Sequence, residues 1–317
     1  MTVGNGRILL LGARGQVGAE ALPLLRECGE VISLTRAELD LTDGAAVRVA
    51  VRELKPRWIV NAAAYTAVDK AESESRIAYV LNGELPGILG EEAARIGSAV
   101  IHFSTDYVFS GEGSRPWRED DSTGPVNVYG ASKVAGERAL VASGAGHFIF
   151  RTSWVFGARG ENFLRRILQL ALERDELKIV DDQVGSPTWS RTLAQLVVHT
   201  IRRAEDGAKS SGGLEEAARL EGGVYHACSK GYTTWFGFAS EFVRITRDSM
   251  PETPMAKLVP ITSSAYPTAA VRPENSRLNC EKLASGLEFR MPDWQSATGA
   301  VMGEVLAAYG TRRNKRD

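Results

Sequence analysis

The chain has 317 residues, enough for one large domain or two with a real core, given about 100 to 200 residues per domain. With 44% hydrophobic and 24% charged residues, 32 Gly and 12 Pro, it falls outside the disordered, collagenous and coiled-coil classes. The 38 basic residues against 39 acidic ones leave a formal net charge of -1, which excludes the broad positive field of a general nucleic-acid binder.

The polar start 1–6 and the apolar run 8–11, ended by Gly12, are too brief for a signal peptide or a membrane span, so a cytoplasmic protein with no membrane partner is expected. Predicted strands 8–11, 31–34, 58–61, 99–104 and 148–152 alternate with predicted helices 16–27, 44–54 (capped by Asp43), 85–96 and 128–142. Runs such as AVIHF and HFIFRT lack polar alternation, as central strands covered on both faces do. This rhythm predicts an α/β fold with a doubly wound parallel-sheet Rossmann domain over residues 1–152.

Past Thr152 the pattern lengthens into helices 162–173 and 192–203, strands 177–181 and 224–228, a helix 235–247 entered through Thr233 and Thr234, and a last helix 293–309. A smaller α+β substrate-binding domain over 153–317 follows, with segments near 177–200 and 224–230 as candidates to return to the first domain. Residues 205–223, rich in Gly, Ser, Ala and charge, read as a surface connection. The basic end (Arg312, Arg313, Lys315, Arg316) reads as a solvated tail without a function. Cys28, Cys228 and Cys280 form no Cys-x-x-Cys pair and read as reduced packing residues.

Three motifs carry chemistry. The first strand runs into Gly12-Ala-Arg-Gly15-Gln16-Val17-Gly18 and then a helix, where glycines let the backbone approach a pyrophosphate that meets free N–H groups and the helix dipole. The second strand is followed by Thr35 and Arg36, with no acid at its tip to hold ribose hydroxyls. A 2′-phosphate is therefore favoured, which points to NADPH, with NADH possible. Asp40 and Leu41 are assigned to the same cofactor site. Tyr129 and Lys133, at i and i+4 on one helix face, place an ammonium where it would lower the phenol pKa from its ordinary value of roughly 10. Thr105 stands at the C-terminal end of the fourth strand, where open parallel sheets bind ligands, and its hydroxyl can donate to a carbonyl oxygen. Taken singly, each motif also has a bland structural reading.

Together with GQVGAE, VNAAAYTAVDKAE, STDYVFSG, NVYGASKVAGE, FRTSWVFG, DDQVGSPT and the final PDW, these motifs resemble the dTDP-4-dehydrorhamnose reductase family of the extended short-chain dehydrogenase/reductase superfamily. The resemblance implies reduction of the 4-keto group of dTDP-6-deoxy-L-lyxo-4-hexulose. In it Tyr129 is the proton donor, Lys133 holds the nicotinamide ribose and Thr105 orients the ketone. It also implies Ala62, Ala63 and Ala64 against the cofactor, and Val68, Tyr107 and Trp154 against the sugar. Trp189, Tyr266, Asn275 and Arg277 are candidates for the nucleotide end, with Arg277 ranked first because its fork of donors suits a diphosphate.

Some members of that family dimerise around magnesium held by glutamates. Here Glu20 remains, but Arg191 and Gln295 fall where other carboxylates would be. The expectation is therefore no structural magnesium and a monomer or weak homodimer. Two rival readings stay open. One is a nucleotide-sugar dehydratase or epimerase, disfavoured because Tyr107 follows Asp106 where dehydratases carry a glutamate. The other is a non-catalytic subunit like the regulatory partner of methionine adenosyltransferase.

Overall fold

Each short apolar run of the first half forms a strand: β1 (Arg7–Leu11), β2 (Glu30–Ser33), β3 (Trp58–Asn61), β4 (Ala99–Thr105) and β5 (Gly146–Thr152). The computed structural model describes residues 6–210 and 212–313, so Lys315 and Arg316 of the basic tail lie outside the described residues. All five strands pair in parallel, and a sixth, Gly223–His226, adds to β5. The order across the sheet is Gly223–His226, β5, β4, β3, β1, β2. Trp58, Ile59, Val60, Val100 and Ile101 are fully buried, as central strands covered on both faces require.

The connections are α1 (Gln16–Leu25), α2 (Gly44–Leu54), α3 (Val68–Ala71), α4 (Ser75–Tyr79), α5 (Leu85–Ile96) and α6 (Val128–Ala142). Asp43 caps α2 by accepting from the N–H groups of Ala45 and Ala46, both at 3.0 Å. Two apolar cores lie on opposite faces of the sheet, one under α1 and the helix Ser190–Ala208, the other under α2 and α5.

Three differences from the sequence reading have local causes. The helix expected to start at residue 85 is preceded by α4 and a wide turn, Val80–Glu84, so Pro86 follows a loosened ladder in which its missing N–H is tolerated. The stretch 205–223 is not a plain surface connection. Helix Ser190–Ala208 runs into it, and a second helix, Leu214–Glu221, buries Leu214 and Ala218 against the main sheet's core. The strand Lys257–Ile261 escaped prediction because it contains Pro260, which an edge position in a two-stranded sheet accepts.

That edge strand pairs in parallel with Glu176–Val180, and helices Phe163–Glu173, Trp235–Ser249 and Trp294–Arg313 pack with it around a third apolar cluster, of Phe156, Leu168, Ile179, Phe238, Phe242 and Met302. Cys228 and Cys280 are free thiols with sulfurs 3.5 Å apart. Among the described residues, no helix is long and apolar enough to cross a membrane.

Candidate active site

β1, β3 and β4 pair in parallel, so their C-terminal ends lie along one edge of the sheet. Gly12 has a φ of +78°, and a Cβ there would lie 2.6 Å from the Ala62 backbone. A Cβ on Gly18 would come within 2.1 Å of the Gly12 carbonyl oxygen, so the turn and α1 touch main chain to main chain. No side chain caps the N-terminus of α1, which leaves its N–H groups for an anion. Gln16 donates to the Val155 carbonyl at 3.3 Å, while its Oε1 is buried without a partner. A cradle that a Cβ would fill, a helix end without a side-chain cap and an orphaned acceptor suit a dinucleotide pyrophosphate and its amide-bearing ring.

Beside this cradle lies a cleft of about 440 Å³ lined by Gly12, Arg14, Ser33, Arg36, Asp40 and Leu41 among others. Arg36 is exposed at its rim, and Arg14, inside the glycine turn, is a second cation that sequence reasoning passed over. The Asp40 carboxyl is held below its usual range by hydrogen bonds from the N–H and hydroxyl of Thr42. Val17 and Ala63 pack on the cores flanking the sheet, Ala62 lies against the glycine turn, and Ala64 is half-buried.

Thr105 ends β4 and opens a single helical turn, Asp106–Val108. Asn127 caps α6 by accepting from the Gly130 N–H at 2.8 Å, and a Cβ on Gly130 would lie 2.1 Å from the Tyr107 carbonyl oxygen. That close approach seats the first turn of α6 on the Thr105 turn. The Tyr129 and Tyr107 rings then meet edge to face at 5.8 Å and 77°. Burial pushes the Tyr129 phenol up to about 12, against the lowering effect of its hydrogen bond with Thr105. Burial raises the Tyr107 phenol as well.

The Thr105 hydroxyl donates to Asp106 Oδ1 at 2.9 Å and accepts from the Tyr107 N–H at 3.2 Å. Its proton is therefore directed at a carboxyl rather than held free for a ketone. Burial lifts the Asp106 carboxyl to about 6 despite hydrogen bonds from Ser276 and Thr105, and its Oδ2 has no partner.

Lys133 is fully buried. Its ammonium nitrogen reaches the Phe103 carbonyl at 2.5 Å and His102 Nε2 at 3.3 Å. Burial lowers it to about 8, with Glu137 opposing, and Glu137 is itself paired to Arg151 inside the protein. The expected lowering of the phenol pKa by Lys133 is not found. The groups acting on Tyr129 are Thr105 and Asp106, because the lysine is turned toward β4.

On the far side, Val68 starts α3. Its neighbour Asp69 takes a bidentate pair from Arg272 at 2.8 and 2.6 Å, and that arginine's charge acts on Tyr107. Asp69 and Arg272 were missed by sequence reasoning, although Arg272 stands in the stretch AVRPENSRLN. Trp154 holds a left-handed φ of +49° and stacks on Trp235 at 3.6 Å and 9°, a strained backbone of the kind that gathers at working sites. Arg277 instead donates to Asn275 Oδ1 at 3.0 Å and the Ser114 carbonyl at 3.3 Å. Asn275 is buried and donates to the Arg115 carbonyl, and Tyr266 is exposed.

At the foot of α1, Arg191 bridges Glu20 at 2.8 Å and Glu304, with its guanidinium 4.7 Å from the Trp189 ring. Among the described residues, no cluster of three or more His, Cys, Asp or Glu side chains is arranged to hold a metal ion.

Comparison with known proteins falls into line with this geometry. The family described as the RmlD substrate binding domain matches residues 6–307. A dTDP-4-dehydrorhamnose reductase of Burkholderia thailandensis is 45% identical over 304 residues, covering 95% of this chain and 99% of that protein. One from Escherichia coli K12 is 41% identical over 303 residues, covering 94% and 98%. The solved structure of the Bacillus anthracis reductase in complex with NADP has a TM-score of 0.83 at 31% identity, covering 95% of this chain and all of that one.

Proposed function

This chain belongs to the dTDP-4-dehydrorhamnose reductase family, and on that premise we propose that it reduces the 4-keto group of dTDP-4-dehydrorhamnose with NADPH, or alternatively NADH. The observation that carries the reading is the Tyr129 ring seated edge to face on Tyr107 of the Thr105 turn, at the C-terminal end of β4 in the same parallel sheet whose β1 runs into the glycine turn.

Gly12, Gly15, Gly18 and Gln16 would hold the pyrophosphate side of the dinucleotide, and Arg14 and Arg36 its 2′-phosphate. Once bound, the reduced nicotinamide supplies the hydride. Tyr129 gives its proton to the ketone oxygen, and Thr105 fixes where that oxygen lies once its hydroxyl turns from Asp106 to the ketone. A phenol with a raised pKa is a reservoir that does not lose its proton to water at neutral pH. Val68, Tyr107 and Trp154 wall the sugar and exclude water, and Arg277 or the Asp69-paired Arg272 faces the diphosphate. The division of labour is a dinucleotide-binding part, residues 1–152 joined by 190–208 and 223–230, and a sugar-nucleotide part built from the remainder. A cytoplasmic monomer or weak homodimer completes the reading, Arg191 being engaged within the chain by Glu20 and Glu304.

The test is direct. Purified protein mixed with NADPH and dTDP-4-dehydrorhamnose should lose absorbance at roughly 340 nm, where reduced nicotinamide absorbs, and form dTDP-rhamnose. No loss with either dinucleotide removes the reading.

A further inference from the structure

The strip DDQVG, residues 181–185, takes no part in the reaction described above, yet it joins the segments around the tryptophan stack. Asp181 accepts from the hydroxyl of Thr234, the N-cap of helix Trp235–Ser249. Val184 is held through its main chain by Glu274 and Ser276, both at 2.8 Å. A Cβ on Gly185 would lie 2.5 Å from Trp154 Cε2, so the missing side chain is what lets that indole lie against the strip.

Gln183, buried in the middle, carries the directional contacts. The Trp235 indole N–H can only donate, and it reaches Gln183 Oε1 at 3.1 Å, which fixes the oxygen end of the carboxamide. The amide nitrogen therefore donates to Ser263 Oγ at 2.9 Å. The Ser263 hydroxyl in turn gives its own hydrogen to Asp182 Oδ1 at 2.5 Å, and the Ser263 N–H goes to Oδ2 at 2.7 Å. A group that cannot accept stands at one end of this chain and a carboxylate at the other, so each bond between them has one direction. At the indole end, Trp235 stacks on Trp154 and is backed by the Phe163 ring at 4.5 Å. At the serine end begins the segment 263–272, whose far end is pinned by Arg272 on Asp69.

We propose that Gln183 is a positioning residue for the sugar nucleotide: its oxygen holds the Trp154–Trp235 stack and its nitrogen holds the segment that leads to Arg272, so one carboxamide sets these two contacts relative to each other. The proposal rests on the functional reading above for the roles of Trp154 and Arg272. Trp154 needs a holder because its left-handed backbone is unfavourable and persists only where neighbouring contacts offset it. A wall already in place spares the substrate the cost of ordering it, so the gain falls on affinity rather than on the chemical step.

Gln183→Glu tests the direction of the chain while keeping its shape. The new oxygen still accepts from Trp235 but meets the Ser263 oxygen with no hydrogen between them, because that hydrogen is given to Asp182. KM for dTDP-4-dehydrorhamnose should rise about tenfold, with kcat within about twofold of wild type and dinucleotide affinity unchanged. In nitrogen-labelled protein with its 6 tryptophans, the indole signals assigned by their loss in Trp154→Phe and Trp235→Phe should both move. Adding Asp182→Asn reverses the chain: the new amide donates to Ser263, whose hydroxyl then donates to the glutamate. KM and both indole signals should return toward wild type in this double variant. With an active wild type, an unchanged KM in Gln183→Glu, a fall in kcat or dinucleotide affinity beside it, unmoved indole signals, or no recovery in the double variant would overturn the proposal. A wild type that does not reduce the sugar nucleotide removes the functional reading instead, and the indole signals, which need no substrate, then decide the chain alone. Should Gln183→Glu not fold, Gln183→Met, which drops both bonds at similar length, takes its place in the KM and indole measurements.

Discussion

The two sides of the cleft are built from different material. The proposed dinucleotide side is mostly main chain: glycines pressed on one another and on Ala62, with the open end of α1 behind them. The proposed sugar side is mostly side chains from segments far apart in sequence, with Asp69 reaching Arg272 and Trp154 lying on Trp235. A main-chain surface is fixed as soon as the local turn forms, whereas a side-chain surface exists only after distant segments have met. The first side should therefore be damaged by adding atoms and the second by removing them.

The junction of the two sides gives the largest expected effect. Tyr129→Phe removes one oxygen and should lower kcat by about a thousandfold, with dinucleotide affinity, read by fluorescence titration, unchanged. An active variant would show that the phenol belongs to the wall rather than to the chemistry. Next comes Gly18→Ala, which sets a methyl 2.1 Å from the Gly12 carbonyl. The turn must shift, and dinucleotide affinity should fall by about ten- to a hundredfold, as overpacking of 1–3 kcal/mol implies. An unchanged titration would mean that the cradle is not where the dinucleotide sits. The smallest effect is expected from Arg272→Ala, which frees Asp69. KM for the sugar nucleotide should rise about tenfold while dinucleotide affinity holds. If both constants moved together, the two sides would not be separable.

The same contrast explains what could be read from the chain before its structure. β3, α2, α5 and α6 fall where their residues place them, because the apolar period, the Asp43 cap and the Asn127 cap are all local. The places of Gly12, Thr105 and Tyr129 in the fold were legible for a related reason: each lies at the end of a strand or the start of a helix whose position in a parallel sheet is predictable. The direction of the Lys133 side chain was not legible. Spacing on α6 puts it under Tyr129, but a carbonyl on β4 and a histidine set opposite Asn61 draw its nitrogen away. Arg272 and Asp69 are 203 residues apart in sequence, and no local pattern announces such a pair. The helix Leu214–Glu221 was hidden by its Ala and Gly neighbours, whose small side chains look like linker until a sheet edge is there to bury them.

The guanidinium of Arg191, clasped by Glu20 on one side and Glu304 on the other, ties the first helix of the dinucleotide half to the last helix of the chain. This fastening travels with the polypeptide: it is stoichiometric from the moment of synthesis, indifferent to chelators, and loosened only by whatever screens or neutralises its carboxylates.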